Sequence, residues 1–210
     1  MRKKLDKPTE FYLKGYRGSY NLNIFTLEEL SALVTLDQVT PEQMVRFANE
    51  FLDNGSFAEE FADIYDLQSQ HHTYIKSKFR QYLTSQNAPN HNRFSAADFL
   101  LRETLNMIVS KEIDAERGAS YIQYDLYEDL LETKFPEGKY LGSNYGLEKI
   151  FAWVREIWDC RDGSTALSYP DLPRPAAEQK YLDRIIQEAG KWLEQYPPNH
   201  IFKYELKPRQ

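Results

Sequence analysis

The chain has 210 residues, with 26 Lys and Arg against 32 Asp and Glu, giving a net charge of -6. A chain of this length buries roughly 70% of its unfolded surface and needs neither disulfide nor metal to fold. Its aromatic content of 14%, with 15 Tyr and 12 Phe, excludes a disordered chain, and its acidity argues against a nucleic-acid binder, whose domains are usually basic.

Cys160 is the single cysteine, which rules out an intramolecular disulfide and suits a reducing cytosol. The basic start, Met1-Arg2-Lys3-Lys4, is not followed by the apolar stretch of a signal peptide. No run approaches the ~18 apolar residues of a membrane-spanning helix. A cytoplasmic protein without membrane contact is expected.

In chain order, Phe11 to Tyr16 reads as a strand turning at Arg17-Gly18. Tyr20, Leu22 and Ile24 then alternate with Asn21 and Asn23, the period of a strand. Three capping boxes come next: Thr26 with Glu29, Thr40 with Gln43, and Ser56 with Glu59. They predict helix starts near 27, 41 and 57. Pro41 suits the first turn of its helix and Asn54-Gly55 the end of it. Met44, Val45, Phe47, Ala48, Phe51 and Leu52 form the apolar stripe of that second helix, and Phe57, Phe61, Ile64 and Tyr65 that of the third. A fourth helix is predicted over 70–85, with Tyr74, Ile75, Phe79, Tyr82 and Leu83 on one side.

After a polar loop at 87–92, Ser95 and Asp98 mark a restart. Phe99, Leu100, Leu101, Leu105, Ile108 and Val109 cover that helix nearly all round, so it is expected to be buried. Asp114 caps the next, with Ala119, Ile122, Leu126, Leu130 and Leu131 inward, ending at 135–138. Leu147, Ile150, Phe151, Val154, Ile157 and Trp158 line another helix. A loop with Pro170, Pro173 and Pro175 leads to a last helix over 176–195, stopped by Pro197-Pro198. Phe202, Tyr204 and Leu206 alternate with charged residues as a final strand.

The fold class is therefore mainly α: one domain over 1–210, an irregular bundle of seven or eight helices, with a small β-sheet formed by the terminal segments 1–25 and 199–210. No fixed repeat and no linker divides it.

No catalytic motif stands out. His71-His72 are adjacent, point about 100° apart on a helix and do not chelate one ion together. No metal-ligand spacing, nucleophile elbow or phosphate-binding glycine pattern is present. Cys160 sits between Asp159 and Arg161, whose effects on the thiolate oppose each other, and reads as structural. No catalytic residue, metal or cofactor is assigned.

Charge segregation is the stronger signal. Residues 50–66 hold six acids, among them Glu59, Glu60, Asp63 and Asp66, and no Lys or Arg. Residues 112–132 hold seven acids against Arg117. Residues 71–102 are the opposite, five Lys and Arg against one acid. Asp125, Glu128, Asp129 and Glu132 fall at i, i+3, i+4 and i+7, an acidic stripe with Tyr121 and Tyr124 beside it. Such a face captures a basic partner, because its charge steers encounter and its rings anchor contact. The competing reading is a solvated face whose acids answer bases on neighbouring helices.

Two segments, Pro41 to Ser56 and Asn106 to Ser120, resemble small helical bacterial proteins, some of which look like immunity proteins of polymorphic or contact-dependent toxin systems. The resemblance covers 41–195. It implies a cytosolic, non-enzymatic protein that binds a toxin domain and blocks it. The expected contact is Tyr121, Tyr124, Asp125, Glu128, Asp129 and Glu132, with Glu59, Glu60, Asp63 and Asp66 second. The expected partner is a basic protein such as a nuclease toxin, not nucleic acid or membrane. The alternatives are an all-α enzyme with a carboxylate-lined pocket and a helical regulatory adaptor.

Overall fold

Caps write the first helix starts of this chain. In the computed structural model, which describes residues 22–65, 67, 71–130, 140–164 and 167–198, Thr26 and Thr40 close capping boxes at the heads of α1 (Leu27–Thr35) and α2 (Pro41–Asp53). The Glu29 carboxylate accepts from the Thr26 amide at 2.8 Å, and the Thr26 hydroxyl accepts from the Glu29 amide at 3.2 Å. Gln43 and Thr40 repeat the exchange at 2.8 and 3.3 Å. Each box satisfies donors that a bare helix end leaves open.

The third box does not form. Ser56 still belongs to the end of α2: its amide donates to Phe51 at 3.3 Å while Gly55, at φ +81°, donates to Leu52 at 2.9 Å. This is the double bond of a Schellman stop. The next helix, α3 (Glu59–Ala62), starts behind Ala58 with no side-chain cap. Phe57 is consequently left 78% exposed rather than on an inner stripe, and Tyr65 is exposed as well.

α4 (His72–Ser85) buries Ile75, Phe79, Tyr82 and Leu83, whereas Tyr74 faces solvent. α5 (Arg93–Val109) starts two residues before the expected Ser95, because the Asn92 side chain caps it, accepting from the Ser95 amide at 2.7 Å. α6 (Ala115–Tyr121) is capped by Asp114, as its sequence predicts. It runs without interruption through a π turn (Ile122–Leu126) into α7 (Tyr127–Leu130). α8 (Glu148–Arg161) and α9 (Arg174–Gln195) complete the described helices.

The protein is mainly helical, and no strand occurs among the described residues. Leu22–Ile24, expected at the end of a strand, form a 3-10 turn instead, closed by the Phe25 amide on the Leu22 carbonyl at 3.2 Å. Buried Leu22 packs this turn on α2, which decides the local conformation over the alternating pattern. The other predicted strands, at 11–20 and 202–206, lie outside the described residues, as does the helix end at 135–138.

The chain divides into two compact units, Met1–Leu100 and Leu101–Gln210, with the division inside α5 rather than at a linker. In the first unit α4 is the helix against which α1, α2 and α3 all pack. Its core is a ring cluster: Phe61 lies 5.7 Å from Phe47, 5.3 Å from Phe51, 5.6 Å from Phe79 and 4.0 Å from Tyr82. In the second unit α8 runs against α9, and α6 packs on both. There the rings carry polar edges. Trp192 Nε1 donates to the Tyr145 carbonyl at 2.6 Å, the Tyr145 hydroxyl donates to the Leu130 carbonyl, and the Tyr127 hydroxyl accepts from the Gly142 amide at 3.1 Å. Gly146, at φ +66°, admits Tyr196 so closely that a Cβ would sit 2.7 Å from its hydroxyl.

Candidate functional site: an aromatic and acidic face on the second unit

The acidic stripe of the sequence depends on an uninterrupted 3.6-residue period. The π turn adds a residue to one turn and so rotates the downstream side chains by roughly 100°. Its effect on the predicted residues is uneven. Tyr124 is 56% exposed, and Glu128, one turn later, is exposed. Asp125 and Asp129 are half-buried. Burial pushes the Asp125 carboxyl up from its ordinary value, so its charge is held at a cost. Tyr121, expected at the surface, is only 5% exposed. Because α6 packs against both α8 and α9, a second flank of the helix is covered, and Tyr121 lies on it. Glu132 lies outside the described residues.

Tyr124 does not stand alone. Its ring stacks on Trp158 of α8, with centroids 5.9 Å apart and planes 10° off parallel. Periodicity placed Trp158 in the core, yet it is 37% exposed. The position is explained by its neighbour: Ile157 takes the buried stripe, and the next residue is turned about 100° away. The Trp158 indole donates to Glu116 at 3.1 Å. Glu116 in turn receives a two-pronged bond from Arg161, both contacts at 2.8 Å, and Arg161 Nε donates to Glu178 at 3.1 Å. The hydrogen bonds to Glu178 and Glu116 raise the Arg161 guanidinium above its ordinary value. Planar bidentate pairing of this kind fixes geometry as well as charge. The aromatic pair is therefore mounted on a network that ties α6, α8 and α9 together.

Beside it lies an open hollow of about 430 Å³, lined by Gln123, Tyr140, Leu141, Phe151, Ala152 and Arg155 among others. Gln123 links hollow and ridge by donating to the Tyr124 hydroxyl at 3.1 Å. Tyr140 and Leu141 are both large apolar side chains left exposed, at 59% and 43%. Glu148 is the acid among its described lining residues, beside Lys149 and Arg155, whereas Glu42, Glu50 and Asp53 line a separate open hollow of about 560 Å³ in the first unit.

The second predicted patch is more occupied. Asp63 is ion-paired with Lys78 of α4, and that bond holds the Lys78 ammonium above its ordinary value. Glu50 accepts from Asn23 at 2.8 Å and Asp53 from the Tyr65 hydroxyl at 3.2 Å. Here the acids answer neighbouring groups. Glu59 is exposed, Glu60 half-buried, and Asp66 lies outside the described residues.

Cys160 is buried, its sulfur 3.5 Å from the Arg174 carbonyl, while Arg161 is directed to its two glutamates. His71 and His72 are both exposed at the head of α4. No group of three or more metal-binding side chains occurs among the described residues. No described helix is long and apolar enough to cross a membrane. Sequence reasoning missed Trp158, Glu116, Arg161, Glu178, Tyr140 and Leu141 as parts of a site; Glu116 and Glu178 meet Trp158 and Arg161 only across helices.

Compared with protein-family models, with curated proteins and with solved structures, the chain matches none.

Proposed function

We propose that this protein is a non-catalytic binding protein that captures a basic protein partner through the Tyr124–Trp158 face of its second unit. The observation that carries the reading is the exposed, stacked ring pair held by Glu116, Arg161 and Glu178 beside an open hollow. Rigid aromatic anchors next to a pocket are the usual energetic centre of an interface. Asp125, Glu128 and Asp159 around the pair set its sign, with Arg155 partly offsetting them 3.7 Å from Asp159. A ring of carboxylates raises the encounter rate with a basic surface. The partner read from the resemblance is a bacterial toxin domain, for which this chain serves as a cytoplasmic immunity protein.

The test is co-expression with the product of the neighbouring upstream gene. Wild-type protein is expected to restore growth. The double variant Tyr124→Ala with Glu128→Lys is expected to lose at least 100-fold in affinity for that product, about 3 kcal/mol for an anchor and a charge together. Both positions are exposed, so the circular dichroism spectrum should be retained, with only a small fall in melting temperature from the lost Tyr124–Trp158 stack. A neighbour harmless on its own, or still toxic with wild-type protein present, removes the immunity reading. Unchanged affinity in the double variant removes this face.

A further inference from the structure

One hollow lies in the first unit, along α4. It has a volume of about 900 Å³ and opens between α4 and the turn joining α1 to α2. His72, Lys76 and Arg80 stand at i, i+4 and i+8 on α4 and form one row along its wall. Thr73, Ser77 and Thr84 add hydroxyls from the same helix, while Val39, Pro41 and Met44 supply an apolar opposite wall.

The charges in this hollow do not balance. Among the described residues Asp37 is the one acid lining it, and it already serves two cations, Lys76 by an ion pair and Arg93 Nη1 at 3.2 Å. Arg80 is exposed and forms no ion pair with an acid among the described residues. Lys76 is lowered from its ordinary value by burial first, then by the repulsion of Arg80 and Arg93. Lys76, Arg80 and Arg93 are gathered closely enough to repel one another, and of the three Arg80 has no acid partner among the described residues. Asp37 itself is held at φ +62°, in the left-handed region where glycine is the common occupant of a helix stop. Its carboxylate is kept at the rim despite that backbone cost.

We infer that this hollow is a binding site for a small phosphorylated molecule, whose phosphate groups lie along Lys76 and Arg80 and whose apolar part rests on Val39, Pro41 and Met44. A phosphate presents three acceptor oxygens, which suits a guanidinium fork, an ammonium and neighbouring hydroxyls together. The volume falls within the range of small-molecule pockets. Lys76 and Arg80 stand roughly 6 Å apart along the helix, four residues at helical rise. That length suits a di- or triphosphate and is short for a strand-tracking groove, which covers at least about four nucleotides. The site goes beyond the partner face of the second unit and stands independently of it.

Titration calorimetry on the full chain tests the site, with inorganic pyrophosphate and adenosine diphosphate as probes. Both are expected to bind, adenosine diphosphate more tightly because its base and ribose reach the apolar wall. Arg80→Ala is expected to weaken both at least tenfold. Asp37→Asn tolerates the same left-handed backbone, removes the competing carboxylate and is expected to tighten both several-fold. Lys191→Ala, on α9, should leave the affinities unchanged. Absence of binding to wild type at millimolar probe, or equal affinity in Arg80→Ala, overturns the site. Citrate binding as tightly as pyrophosphate overturns the phosphate assignment. A single-stranded 12-mer binding more tightly than adenosine diphosphate, and lost in Arg80→Ala, overturns the small-molecule assignment in favour of nucleic acid.

Discussion

The cores of the two units use different rings, and the difference separates two ways of making helices cohere. In Met1–Leu100 the packed rings are Phe47, Phe51, Phe61 and Phe79 with a single Tyr82, meeting edge to face or at a tilt, apart from the stacked Phe47–Phe51 pair. Such a cluster is held by buried area and ring geometry and places little demand on the backbone. In Leu101–Gln210 the rings are Tyr127, Tyr145, Phe151, Trp192 and Tyr196; Tyr127 and Trp192 are bonded to main-chain groups of the 140–147 turn and Tyr145 to the Leu130 carbonyl. Those bonds fix one arrangement, because a displaced ring leaves a buried polar group without a partner. The two units also differ in what they expose. The first offers a hydroxyl-lined cationic hollow, the second a rigid aromatic ridge among acids. The polar-edged rings and the aromatic ridge belong to the same unit.

The sharpest way to break the comparison is Phe61→Ala. Phe61 is fully buried and touches four other rings, so its truncation should cost about 3–5 kcal/mol. Urea denaturation followed by tyrosine and tryptophan fluorescence reads this directly. All three tryptophans, Trp153, Trp158 and Trp192, belong to the second unit. Early loss of far-ultraviolet circular dichroism with an unmoved tryptophan transition would show the units unfolding separately. A cost under about 1 kcal/mol would mean the cluster is not the core of its unit.

Tyr145→Phe sharpens the other side. It keeps the ring and removes only the hydroxyl that donates to the Leu130 carbonyl. The expected cost is about 1–3 kcal/mol, because the carbonyl left behind is buried. Tyr82→Phe in the first unit is the matched control, and a larger effect there than at Tyr145 would erase the distinction drawn between the cores.

The smallest expected effect is that of Asp125→Asn, read through pH. Burial raises the folded-state pKa of Asp125 above its unfolded value near 3.8. The protonated form is therefore favoured by folding. Its contribution is present below the unfolded pKa and is lost as pH rises through the folded one. At pH 7 the carboxylate is a burden, and Asp125→Asn should raise the melting temperature slightly. The gain should vanish as pH falls toward 3.8. A gain that persisted unchanged at low pH would place its origin outside the titration.

Much of this architecture is legible in the chain because its determinants are local. Thr26, Thr40 and Asp114 cap their helices, and the apolar spacing of α2 and, apart from Trp158, of α8 picks out most of their buried residues. The errors are also local in appearance but tertiary in cause. Ser56 carries a capping pattern, yet its amide is already committed to the end of α2. Leu22 alternates like a strand residue and is folded into a 3-10 turn by burial against α2. Tyr121 lies on the polar side of a helical wheel and is covered because its helix packs on two others.

By itself the sequence determined the helical class, most helix starts and the segregation of acidic from basic stretches, since capping, periodicity and charge counts act within a few residues along the chain. Only the tertiary structure decided which charges are spent on neighbours. Asp63 is neutralised by Lys78, and Arg161 by Glu116 and Glu178, through contacts across helices that no spacing encodes. The same long-range packing brought Tyr124 onto Trp158, left Arg80 without an acid among the described residues, and so turned two charge patterns into two distinct surfaces.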